Sequence, residues 1–383
     1  MTSTSLSSPH GEPGAGGPTI CGFKTQVIVR KSERPQWNPR TRWSEKRVVL
    51  VELRLDDGTT GIGEAYCDGG AADSVIGIIE RDLAPRLLGQ SPLATRRCWH
   101  DMVETTIVSC KGGAAYAALS ALDTAAWDLA GKLLNQPLYR LLGGTRDRVP
   151  VYASAGLYGE GKSPDDLAAE MAGYVARGFT AIKMKIGGVS LRQDVDRVRA
   201  VREAIGPDVR LMVDALYAYS SEQALNMARR LEQFDIHFLE APVHPGDLEG
   251  LKDLCARSPV AIAGNEFAYG VDAFRQLILA GVHVIHADVI LCGGISAAMR
   301  VADLADAFHR PISFHAASSL VCLTANAHVA AAAANAESVE YHMIHDILFD
   351  KVPSLPFQLI DGQLQLGRTP GLGLDLRLDD PGK

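Results

Sequence analysis

The sequence predicts an α/β fold: a (β/α)8-type barrel, TIM-like but modified, behind an N-terminal α+β capping domain. Eight strand-like apolar runs alternate with helical segments over about 200 residues, the size of such a barrel. Three of those runs, 209–213, 236–239 and 260–263, end in or just before an acid. The acids, Asp214, Glu240 and Glu266, stand 26 residues apart each time, close to the roughly 25 residues that one strand, one helix and two short loops occupy. Ahead of Arg146 the pattern differs, with a strand pair followed by helices and no repeat.

Residues 1–19 are rich in Ser, Gly and Pro and lack the basic start and apolar core of a signal peptide, so they read as a disordered tail. From Ile20 the pattern turns to strands at 26–29 and 48–55, and Asp56-Asp57-Gly58 supplies a hairpin turn. Between the strands, the basic, aromatic and Pro-punctuated stretch 31–43 reads either as a solvated loop or as a lid that lays Arg40 or Trp37 over an anionic ligand. Residues 66–73 form a second candidate lid. Helical periodicity runs from Val75 to Leu142, where Gly143-Gly144 ends it. The capping domain is accordingly placed at 20–146, with 350–383 returning to it, and the barrel at 147–349. Barrel strands are expected at 149–154, 181–186, the three runs above, 282–288, 311–315 and 338–341. The competing open sheet would need a glycine-rich phosphate loop after its first strand, and residues 156–161 do not match that fingerprint; Tyr158 within them is a candidate substrate-binding residue.

A 47% apolar share and a net charge of −7 describe an ordinary globular chain with no electrostatic footprint for nucleic acid or an anionic membrane. No apolar run reaches the length of a membrane span. Seven scattered cysteines without a C-x-x-C pair read as reduced core residues of a cytosolic protein, so a cytoplasmic location is expected. The substrate must be sought in a local pocket.

In such barrels chemistry sits at the C-terminal strand ends. Read in order, those ends supply Lys183 and Lys185, Asp214, Glu240, Glu266, Asp288, His315 and Glu340. Three converging carboxylates without interleaved cations would repel, and oxygen-only ligands point to Mg²⁺; the alternative is three acids that cap helices. Lys183 and Lys185 share a strand face about 7 Å apart. Their repulsion, about 2.4 kcal/mol at an effective dielectric near 20, lowers a lysine from about 10.4 to between roughly 8 and 9; otherwise they are solvated lysines on an edge strand. Asp288 and His315 close consecutive strands, where an Asp–His hydrogen bond is easy and leaves the other ring nitrogen as a proton acceptor. A lysine and a histidine flanking a carboxylate-bound cation suit removal of a proton α to a carboxylate, with Glu340, if protonated, donating to the ene-diolate. His342 and His345 leave a zinc reading open, without the H-E-x-x-H motif.

The ordered set of Trp127 to Lys132, Pro137 to Gly144, Lys183-Met184-Lys185, Asp214, Glu240-Ala241-Pro242, Gly264-Asn265-Glu266, Asp288, Gly293-Gly294-Ile295, His315, Glu340 and Pro370 to Gly373 resembles the enolase superfamily and, within it, the mandelate racemase subgroup, from Ile20 onward. The resemblance implies Mg²⁺ on Asp214, Glu240 and Glu266. It implies Lys185 as one base, Lys183 assisting it and touching the substrate carboxylate, a His315–Asp288 dyad as the other base or acid, and Glu340 facing the enolate oxygen. It also implies a homo-oligomeric enzyme acting on a small carboxylate. Leu216 stands where many relatives carry a substrate-holding Asn, so the usual polar grip on a 2-hydroxy acid is altered. The expected reaction is dehydration of an acid sugar; alternatives are racemisation or epimerisation with both bases, Schiff-base aldol chemistry at Lys185, and a non-catalytic barrel.

Overall fold

The computed structural model of the protein describes residues 17–67, 71–107, 112–144 and 146–378. The expected tail lies outside them as far as residue 16, as do residues 68–70 of the second lid and Cys110. Among the described residues no helix is long and apolar enough to cross a membrane.

The chain opens with an antiparallel sheet of β1 (Ile20–Trp37), β2 (Arg42–Leu55) and β3 (Thr60–Ala65). The hairpin turn at Asp56 to Gly58 joins β2 to β3. Alternation on β2 sorts its side chains: Val49, Val51, Leu53 and Leu55 join the core under the cap helices, whereas Val48 and Leu50 join the barrel core. The stretch that reads as a loop is mostly strand. β1 and β2 pair from Ile20 opposite Leu55 out to Trp37 opposite Arg42, with a register shift between Lys31 and Gln36. Pro35 falls in that irregularity, where a residue lacking an N–H is tolerated, and it does not end the ribbon.

The helix Ala114–Leu133, the strongest helical pattern in the sequence, is buried almost all round. β3 lies so close to it that a Cβ on Gly63 would collide with the Ala121 carbonyl oxygen, and one on Gly61 with that of Ala125. Buried acids on this helix tie the halves together. Asp123 accepts from Ser296 N (2.8 Å) and Oγ (2.7 Å), and Asp128 accepts from Ile62 N (3.0 Å), Lys132 Nζ (2.7 Å) and Leu372 N (2.8 Å).

β4 (Arg148–Ala155) starts the barrel, and the short β5 (Tyr158–Gly159) leaves it to pair antiparallel with the far end of β1. The remaining staves are β6 (Ala181–Lys185), β7 (Arg210–Asp214), β8 (Ile236–Glu240), β9 (Ile262–Gly264), β10 (Val284–Ala287), β11 (Ile312–Phe314) and β12 (Ala336–His342). They run parallel, and β12 pairs with β4 to close a ring of eight. Each matches an expected run. Ser163, Ser190 and Ser220 start successive outer helices with capping boxes completed by Asp166, Gln193 and Gln223. The C-terminal segment first adds the hairpin β13 (Phe357–Ile360) and β14 (Gln363–Leu366), with β14 antiparallel to β4. It then turns to the cap, where Leu372 N donates to Asp128 and Leu378 N to Glu52 (3.0 Å).

Candidate active site

Inside the ring an apolar floor of Tyr152, Met212 and Phe238 supports the ionisable layer. Period-two alternation puts Lys183 and Lys185 on the same, inward face of β6. Lys183 is fully buried above the Tyr152 ring, with its Nζ 2.5 Å from Glu240 Oε2, 3.1 Å from Glu340 Oε1 and 3.9 Å from Asp214 Oδ2. Lys185, one layer nearer the mouth, pairs with Asp214 Oδ2. Burial would lower both amines, but these carboxylates outweigh it and hold both above the ordinary lysine value. The lysine pair therefore does not depress itself as two isolated charges would, because acids from β7, β8 and β12 outnumber it.

Asp214 lies in register with Lys185 on one side and Glu240 on the other, and Glu266 stands just past the end of β9. All three are buried. The lysines are interleaved cations, a feature that strand spacing alone does not reveal. Among the described residues no three His, Cys, Asp or Glu side chains are drawn together enough to hold a metal as they stand, since Asp214 and Glu240 turn an oxygen to a lysine. The donor set nevertheless fits a hard divalent cation. It is all oxygen, it spans three consecutive staves, and Glu240 Oε1 and Glu266 Oε2 are buried with no hydrogen bond. Burial, Glu240 and Asp214 push the Glu266 carboxyl up, with His315 partly opposing. Burial would raise the Glu240 carboxyl too, but Lys183 and His286 outweigh it and hold the group below its usual range.

Asp288 and His315 meet as expected: Nδ1 donates to Oδ2 at 2.7 Å. Asp288 is held in turn by Asn326 Nδ2 (2.9 Å) and Ile290 N (3.1 Å). Burial would lower the imidazole, but Glu340 and Asp288 raise it to about 9. His315 Nε2 faces Glu340 Oε2 at 3.5 Å. The expected protonated form of Glu340 is not what its neighbours favour. Burial favours the acid, but Lys183 and His315 hold it well below the ordinary range, as a carboxylate.

A cavity of about 730 Å³ opens over this layer, with Lys185 and His315 both in its wall. β6 and β11, which carry them, are separated round the ring by β4 and β12. Arg40 and Leu216 line the same cavity, but Arg40 donates to the Leu216 carbonyl (3.3 Å) and to that of Tyr217, so it braces the loop after Asp214. Trp37 and Tyr158 stand elsewhere. β5 pairs them and their rings stack at 6.3 Å beside a separate cavity of about 270 Å³, and the Tyr158 hydroxyl donates to Asp194 (2.6 Å). Lys183 lies beneath the cavity without lining it, whereas Lys185 lines it.

Sequence reasoning missed two groups. His286 Nδ1 stands 3.1 Å from Glu240 Oε1, without hydrogen-bond alignment; two residues before Asp288 on one strand, it was findable by alternation. Glu64 of β3 is fully buried and accepts from the Ser318 and Ser319 hydroxyls and from Cys322 N (3.1 Å), which fastens the cap to the loop after His315. His342 and His345, the pair behind the zinc reading, stack at 4.0 Å in the cavity wall.

Residues 24–143 match the mandelate racemase / muconate lactonizing enzyme N-terminal domain, and residues 166–380 the enolase C-terminal domain-like family. Over 331 residues the chain is 36% identical to the arabinonate dehydratase of Saccharolobus solfataricus, covering 86% of this chain and 88% of that one. It is 32% identical to the D-galactarolactone cycloisomerase of Agrobacterium fabrum, covering 94% and 97%. It superimposes with a TM-score of 0.86, at 30% identity over 93% and 97% of the chains, on a racemase from Streptomyces coelicolor A3(2) with bound magnesium. Matched along both its halves, the chain belongs to the mandelate racemase/muconate lactonizing enzyme group of the enolase superfamily and is an enzyme of the lyase or isomerase kind.

Proposed function

We propose that the protein dehydrates an acid sugar by Mg²⁺-assisted removal of the proton α to the carboxylate. The observation that carries this reading is the placing of Lys185 and His315 in one cavity, on separate staves, over three buried carboxylates. Asp214, Glu240 and Glu266 would hold the ion, which when bound supplies positive charge to the substrate carboxylate as electrons move onto it. Once Asp214 no longer claims its charge, Lys185 gives its proton to solvent through the cavity and, as an amine, takes the α-proton. Glu340 and Asp288 keep His315 protonated, so it donates to the departing β-hydroxyl, which leaves as water. The product enol becomes a 2-keto acid. Lys183 balances the buried acids from below, and Asp288 orients the imidazole.

A panel of aldonates and aldarates, incubated with Mg²⁺ in D₂O, tests this. A 2-keto acid with loss of water is expected. Deuterium at the α-carbon without mass loss would assign racemisation or epimerisation, which the same two groups could perform. Mg²⁺ should also raise the melting temperature, by the equivalent of about 2.7 kcal/mol at a hundredfold excess over Kd. No such rise, or the same rise in Asp214→Asn, would overturn the metal assignment.

A further inference from the structure

His342 and His345 have no part in the chemistry above, yet they are placed to meet a ligand. Their rings stack at 4.0 Å, both side chains are more than nine-tenths buried, and both line the cavity shared by Lys185 and His315. His342 Nδ1 is buried with no hydrogen-bond partner. A buried polar atom left unpaired is costly, so on a side chain that lines a ligand cavity it marks a place that a ligand can complete.

The position has a measure. His342 follows Glu340 by two residues on β12, so it points the same way about 7 Å nearer the mouth. Glu340 touches Lys183 and also His315, the acid of the proposed reaction. From a reacting α-carbon the rest of a six-carbon chain spans about 5 Å, and its far carboxylate with a hydrogen bond of about 3 Å covers that separation. The charge around it is one-sided. Arg40, Arg42, Lys46, Arg47 and Lys185 line the cavity, and Glu45 is the single carboxylate among its described lining residues. Glu45 pairs with Arg47 at 2.7 Å, while Lys46 lies over the Tyr66 ring at 5.3 Å. Burial, His342 and Lys46 push the His345 imidazole well below its ordinary value, so it is neutral and offers one N–H donor.

We propose that His342 and His345, with Lys46, form a subsite for a second carboxylate at the far end of the substrate, so that the preferred acid sugar is a six-carbon dicarboxylate. The proposal rests on the reading of the site as an acid-sugar enzyme and adds the selection between diacid and monoacid. Two imidazole donors and an ammonium suit an anionic oxygen pair better than a terminal hydroxymethyl group.

The experiment compares kcat/KM of the Mg²⁺-loaded enzyme for galactarate against galactonate and for glucarate against gluconate. The diacid should be favoured about tenfold or more in at least one pair, the size of effect that one additional charge-assisted hydrogen bond produces. A His342→Gln, His345→Gln double variant should lose about that factor from the ratio. Equal or better use of the monoacids by the wild type, or an unchanged ratio in the variant, would overturn the subsite. If no acid sugar is consumed, or the variant does not fold, calorimetric binding of adipate and hexanoate to the Mg²⁺-loaded wild type decides the question. Adipate bound about tenfold tighter supports the subsite even with the proposed reaction lost, and equal binding overturns it.

Discussion

His315 is held at both ends of its ring, by Asp288 at 2.7 Å on Nδ1 and by Glu340 at 3.5 Å on Nε2. Burial would lower its pKa, but the two acids raise it to about 9, which suits an acid at neutral pH and not a resting base. Replacing His315 by Asn should therefore lower turnover by about 10²–10⁴-fold, while the Mg²⁺-dependent rise in melting temperature persists. Loss of both together would mean that the ring is structural. The identities of these residues were legible in the sequence, because acids and bases fell at the ends of successive strand-like runs. Their charge states were not. Lys185 and Glu340 each depart from expectation because their pKa values depend on partners from other staves, Asp214 in one case and Lys183 in the other.

Among the elements, β3 and the helix Ala114–Leu133 show how close packing depends on single atoms. A methyl group on Gly63 would collide with the Ala121 backbone, whereas one on Gly77 meets nothing within 4 Å. Gly63→Ala should destabilise the protein by about 1–3 kcal/mol or more. Gly77→Ala, in the helix Ala72–Ile78, should stabilise it by about 0.5–1 kcal/mol. Urea unfolding of the two variants checks both signs. The eight barrel strands were readable because each is written locally, in four to eight residues. The outer half of the β1–β2 ribbon, from Lys31 on, was not, since Pro35 and the charges around it say loop until the partner strand is seen.

At the scale of the molecule, the cap and barrel meet on Asp123. Burial raises its carboxyl to about 7 from 3.8, against the donors Ser296 N and Oγ. The folded state thus holds this proton more tightly than the unfolded chain, so the group's contribution to stability is complete below 3.8 and is lost as pH rises through about 7. Asp123→Asn cannot ionise. Its stability in urea relative to wild type should improve between about pH 4 and about pH 8, by on the order of 2–4 kcal/mol. A difference that stays constant with pH would show Asp123 ionised throughout. The sequence by itself determined the barrel, the order of its staves and which acids, lysines and histidine reach its mouth, because strand periodicity and spacing are properties of the chain alone. Only the tertiary structure decided which of them share a cavity, that Lys183 is buried beneath it, that Trp37 and Tyr158 stand outside it, that His342 and His345 line it, and that Glu64 and His286 brace neighbouring groups. Those facts depend on which staves close the ring and how the cap sits over them, and on Coulomb interactions between side chains distant in sequence.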